Sequence, residues 1–222
     1  MPPAQVSDLL NRLFAKFDAL AQLHGVQKLD VIGDAYLAAT NVLEDQAPDH
    51  AARLARFALD AVAAARATRL DDADPASPAV QIRVGLHSGP ASAALVGAQG
   101  FKFTLIGDTV NTASRMESTS LPGRIQCSAA AAALIADQDP QVPLAARAGG
   151  VEVKGKGQMR TCWVGLPVPG PAQHVQQARA LSAAALRSAC GGSRGGTVVR
   201  VRAAGPVGAM MSFMRGPRVP AF

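Results

Sequence analysis

Residues 1–166 of this 222-residue chain predict an α/β sandwich, with helices laid over a mostly antiparallel sheet. Two observations carry that expectation: long stretches with apolar residues every three or four positions, and short apolar runs paired across glycine-bearing turns. Residues 5–24 put Val6, Leu9, Leu10, Leu13, Phe14, Phe17 and Leu20 on one helical face, and Gly25 ends the helix. Val26 to Ile32 and Ala35 to Val42 read as a hairpin around Gly33-Asp34. A second helix is expected from Pro48 to Leu70, burying Leu54, Phe57, Ala58, Ala61 and Val62. The polar, proline-broken loop 71–78 follows.

Val80 to His87, Ala91 to Val96 and Phe101 to Ile106 read as strands, and a helix carrying Asn111 and Arg115 comes next. Arg124 to Ser128 reads as a strand and Ala129 to Ala136 as a short helix. Val151 to Val153 and Thr161 to Val164 are expected to close the sheet as a late hairpin around Lys154-Gly155-Lys156-Gly157. This order fits the ferredoxin-like sandwich. From Pro167 onward the chain is rich in Ala, Gly, Pro and Arg with poor periodicity, so 167–222 is expected to be a disordered tail beside one domain, 1–166.

The net charge of +6 belongs to that tail, which carries seven Arg and no acid, whereas 1–166 carries 15 basic against 16 acidic residues. A basic tail on a near-neutral domain argues against nucleic-acid binding. The three cysteines Cys127, Cys162 and Cys190 show neither metal-ligand spacing nor a disulfide framework. No apolar run is long enough to span a bilayer and the N-terminus lacks a signal pattern. A cytoplasmic segment without membrane contact is the expectation, with membrane attachment of the intact parent left open.

Chemistry concentrates in Gly107-Asp108-Thr109-Val110-Asn111-Thr112-Ala113-Ser114-Arg115. Four residues apart on a helix, the Asn111 amide and the Arg115 guanidinium share one face, and such a pair suits work at phosphorus. With Lys28-Leu29-Asp30-Val31-Ile32-Gly33-Asp34-Ala35-Tyr36 and Val153-Lys154-Gly155-Lys156-Gly157, this segment resembles the catalytic domain of the class III adenylyl/guanylyl cyclases, in unbroken order from Val6 to Val164. The resemblance implies closure of a nucleoside triphosphate to a 3′,5′-cyclic monophosphate with loss of pyrophosphate, a signalling reaction assisted by two divalent ions, Mg²⁺ or Mn²⁺.

On that resemblance Asn111 positions the ribose, Arg115 stabilises the transition-state phosphate, and Lys154 grips the β- and γ-phosphates. Asp34 matches one of two metal aspartates. The other belongs to a family strand preceding the first helix, absent here, so the sheet is expected to lack its first, central strand and the chain to be a fragment or a degenerate paralogue. Asp8 and Asp18 sit on the amphipathic helix as solvated residues and offer no substitute. Asp30 and Thr104 match the base-reading pair. An ionised carboxylate only accepts hydrogen bonds, which suits guanine's N1–H and 2-amino donors, whereas the Thr104 hydroxyl serves either base; GTP is favoured over ATP.

The family pairs domains head to tail, each site drawing metal aspartates from one domain and base-reading and transition-state residues from the other. A homodimer, or a heterodimer with a cyclase-like partner, follows from the resemblance. Phe101-Lys102-Phe103 is apolar enough for that interface or for the core. A different class of function is a catalytically silent cyclase-like domain acting as a dimerisation or regulatory partner. A diguanylate cyclase or polymerase relative would need a paired-acid hairpin, but Ala35-Tyr36 follows Gly33-Asp34.

Overall fold

The computed structural model describes residues 1–46, 48–96, 102–165 and 195–204, the side chains of Val96, Lys102 and Ala204 excepted. Phe101, 166–194 and 205–222 lie outside the described residues, and with them most of the expected tail. Helix α1 (Pro3–His24) starts with Pro at its first position, where no amide donor is needed. It stops at Gly25, whose left-handed conformation lets its N–H close on the carbonyls of Ala21 and Gln22. Strands β1 (Gln27–Ile32) and β2 (Ala35–Thr40) form the expected hairpin, Ile32 opposite Ala35. Helix α2 (His50–Arg66) lies beside α1.

Then come β3 (Gln81–Pro90), β4 (Ser92–Val96), β5 (Lys102–Ile106), α3 (Asp108–Ser118), β6 (Ile125–Ser128), α4 (Ala129–Gln138), β7 (Leu144–Ala146), β8 (Val151–Val153), β9 (Gly157–Met159), β10 (Thr161–Val164) and β11 (Gly195–Ala204). The main sheet runs β1-β2-β11-β3-β6-β10-β7, antiparallel except between β3 and β6. The mixed α/β expectation holds.

Two features depart from the sequence reading. Val151–Val153 pairs with Gly157–Met159 instead of with Thr161–Val164, because glycines at 155 and 157, both at positive φ, reverse the chain within a few residues. β10 pairs with β6 and β7. The larger departure is β11. Placed in a structureless tail by its composition, it inserts between β2 and β3 and pairs antiparallel with both, so the sheet has no gap at its centre. Period-two alternation explains its fit: Val199, Val201 and Ala203 face the main core, while Val198, Arg200 and Arg202 face the opposite side.

That main core lies between one face of the sheet and α1, α2 and α4, with Leu9, Leu13, Phe17, Leu54, Phe57, Ile82, Leu86 and Ile135 fully buried. Tyr36 anchors it. Its ring packs against Phe17 edge-on and stacks on Phe57, and its hydroxyl donates to Asp18 Oδ1 at 2.8 Å. Asp18 therefore works for the core, and also takes a 2.8 Å hydrogen bond from Lys28.

Helix α3 occupies the other face, and a glycine lane on β3 lets it lie close. A Cβ at Gly85 would stand 2.0 Å from the Glu117 amide nitrogen and 2.6 Å from the Ala113 carbonyl. Ala113 joins Leu37, Ala39, Leu105 and Val198 in a second, smaller apolar cluster. No helix among the described residues is long and apolar enough to cross a membrane.

Candidate active site

With Ala113 and Met116 pressed on the sheet, helical geometry turns Asn111 and Arg115 outward, and both are exposed. Gly107, at φ +149, begins the helix hard against the Pro90 carbonyl. Thr109 Oγ1 donates to that same carbonyl at 2.5 Å, which fixes the first turn to the end of β3.

The β8–β9 turn closes over this helix start. Lys156, not Lys154, makes the contact, an ion pair from its ammonium to Asp108 Oδ2, while Lys154 stays exposed. That hydrogen bond is the largest influence holding the Asp108 carboxyl below its usual range. His87 lies beside the pair, its Nδ1 2.7 Å from Ser128 Oγ. Burial first, then the Lys156 charge, lowers the imidazole to about 4, with Asp108 pulling the other way. His87 is neutral at pH 7.

Asp30 and Thr104 come from β1 and β5, which lie next to each other. Leu29 and Leu105, their immediate neighbours in sequence, meet in the smaller apolar cluster. A bulge between Lys28 and Asp30 shifts the β1 register just before the carboxylate. Asp30 and Thr104 are both partly buried, and one Asp30 oxygen accepts the Val31 N–H at 2.9 Å.

Asp34 is bound from a different strand, β11. Among the described residues no hydrogen bond or ion pair joins it to Asn111, Arg115 or Lys154, whereas Arg202 Nε donates to its Oδ2 at 2.9 Å. The carboxylate is buried. Nor does any cluster of three or more His, Cys, Asp or Glu among the described residues form a cage for an ion. A guanidinium in contact with the one candidate ligand does not fit a two-ion site.

Sequence reasoning missed four groups that shape this face: Arg83, Glu117, Arg200 and Arg202. Glu117 is buried on the inner side of α3, accepts from Arg83 Nε at 3.0 Å and has Arg200 Nε at 3.7 Å. A glutamate on an amphipathic helix carries no sign of burial. The available signal was Gly85, whose missing side chain marks a helix packed too closely for Glu117 to reach water.

Comparison with known proteins agrees with this architecture. Residues 1–165 match the family model described as adenylate and guanylate cyclase catalytic domain. Over 177 residues the chain is 41% identical to human retinal guanylyl cyclase 2, and over 175 residues 42% identical to rat retinal guanylyl cyclase 1. Each match covers 76% of this chain and 16% of the relative, so the chain spans a small part of their length. Among solved structures it superposes on the guanylate cyclase domain of RhGC from Catenaria anguillulae, determined with GTP, at a TM-score of 0.67 and 38% identity, covering 76% of this chain and 87% of that one. With the family model matched over residues 1–165 and a solved cyclase domain superposing on most of the chain, the chain belongs to the adenylate and guanylate cyclase catalytic domain family.

Proposed function

We propose that this domain binds a nucleoside triphosphate across the exposed face of α3 and takes part in its closure to a 3′,5′-cyclic monophosphate, with GTP preferred over ATP. One observation carries the reading: Asn111 and Arg115 stand exposed one turn apart on a helix whose start is held against the lysine turn. Arg115 offers a planar fork of donors to the phosphoryl oxygens as charge builds there, and Asn111 orients the sugar. Lys154 supplies a mobile positive charge for the β- and γ-phosphates. Asp30 accepts from guanine's N1–H and 2-amino group, with Thr104 beside it as donor or acceptor.

Mg²⁺ or Mn²⁺ belongs to the same reading, with Asp34 as the ligand this chain would contribute. Since Arg202 holds that carboxylate, the chain is suited to the substrate-reading half of a head-to-tail pair, as a homodimer or beside a cyclase-like partner. The Arg202–Asp34 contact also favours a second reading, a silent cyclase-like subunit that binds nucleotide or partner without turnover.

Displacement of a fluorescent GTP analogue from the full chain tests the first reading. GTP should displace it at lower concentration than ATP, and Asp30→Lys combined with Thr104→Asp should reverse that order. Unchanged selectivity would remove the base-reading assignment. With Mn²⁺ and GTP the isolated chain should show negligible turnover, and robust turnover would overturn this account of Asp34.

A further inference from the structure

Strand β11 brings two arginines to the α3 side of the sheet, and each meets a buried carboxylate from the family-matched part of the chain. Arg202 takes Asp34, which is 2% exposed. Arg200 lies against Glu117, which is 1% exposed, and donates to Ser114 Oγ. Without Arg202 the Asp34 carboxylate would carry the cost of an uncompensated buried charge, whereas Glu117 would keep its 3.0 Å pair with Arg83.

The strand's other face is matched as closely. Val199, Val201 and Ala203 complete the main core, and the Thr197 hydroxyl sits 2.8 Å from both His50 Nδ1 and Ser88 Oγ. Along its edges the strand is in register with β3 from Gly195 to Ala204 and with β2 from Thr197 to Arg202. Asn41 adds a 2.8 Å hydrogen bond to the Gly195 carbonyl. Both faces and both edges thus meet complementary neighbours, with Arg200 Nε, 3.7 Å from Glu117, as the one buried donor of the strand that makes no hydrogen bond among the described residues.

We propose that β11 is a self-inhibitory strand: inserted between β2 and β3, it seats the Arg202 guanidinium on Asp34 and so denies that carboxylate to a divalent ion. The inference rests on the reading of Asp34 as an ion ligand. A buried carboxylate whose charge is already offset by a guanidinium 2.9 Å away holds a dication poorly, since the two positive groups repel each other across it. Any strand that carries an ion-binding carboxylate to the middle of this sheet has to displace β11 first. With β11 seated, Asp34 is therefore withheld from an ion.

Two measurements on the full chain test this. In hydrogen exchange, the amides of 195–204 should be protected alongside those of β2 and β3, and Val199→Pro should speed exchange in β2 and β3 while α4 keeps its protection. Exchange of 195–204 at the rate of an unstructured peptide would overturn the insertion. In Mn²⁺ titrations followed by electron paramagnetic resonance, Arg202→Gln should bind about tenfold tighter than wild type, because a neighbouring positive charge has been removed. Arg202→Lys should behave as wild type, and adding Asp34→Asn to Arg202→Gln should abolish the gain. Equal Mn²⁺ affinity in wild type and Arg202→Gln, with 195–204 protected in both, would overturn the inhibition alone. A gain that survives Asp34→Asn would instead remove Asp34 as the ligand, and the proposal with it.

Discussion

His87 shows how one buried side chain links the fold to pH. Its unperturbed value of 6.5 falls to about 4 in the folded chain. Between those values the unfolded chain takes up a proton that the folded chain refuses. The stability carried by neutral His87 is therefore whole above pH 6.5 and is lost as pH drops toward 4. His50, also lowered mainly by burial, adds to the same slope. His87→Gln should flatten the decline of the urea midpoint across that window relative to wild type, and an undiminished slope would show that His87 titrates normally. Glu117→Ala tests the neighbouring network. Removing the acid takes from Arg83 its 3.0 Å ion-pair partner in a largely buried setting, at a cost of about 3 kcal/mol in chemical unfolding. At this scale Asn111 and Arg115 were readable because a four-residue spacing needs only one helix. Glu117 was not, because its partners come from two distant strands.

Among the elements, α3 depends on the absence of a side chain beneath it. Gly85→Ala would push a methyl into the Glu117 and Ala113 backbone, where no rotamer change can give way. The expected loss is about 3 kcal/mol of unfolding free energy, the upper end of the usual range for overpacked cores, with α3 lifted from the sheet. A wild-type midpoint in Gly85→Ala would contradict the close packing of α3 on β3. The helices and the first hairpin were legible because their periodicity extends over many residues. Strands β7 and β9 have three residues each, too few for alternation to register. The Arg200 and Arg202 positions of β11 looked like solvated tail, since they are polar on a face that sequence gives no reason to think is met by acids.

For the whole molecule, large apolar side chains stand in solvent on β1 and on the β4–β5 hairpin. Val31, Ile32, Leu95 and Ile106 are exposed, and Leu95 is 69% so. Leu95 and Ile106 are side chains that the proposed homodimer would have reason to cover. Sedimentation of wild type should show concentration-dependent self-association that Leu95→Asp with Ile106→Lys abolishes; a wild-type chain that stays monomeric at every concentration would exclude the homodimer. The charge asymmetry read from the sequence also changes meaning. Two of the seven tail arginines neutralise the chain's own buried acids, so the basic balance serves the interior as well as the surface.

The place of β11 in chain order has a consequence for synthesis. A ribosome delivers roughly 5–20 residues each second, so β2 and β3 emerge many seconds before the segment that joins them. Through that interval each presents a bare inner margin of amides and carbonyls, the kind of template on which neighbouring nascent chains stick together. The keystone of this arch is laid last, and yield in a cell should rise with whatever shields those margins until it arrives.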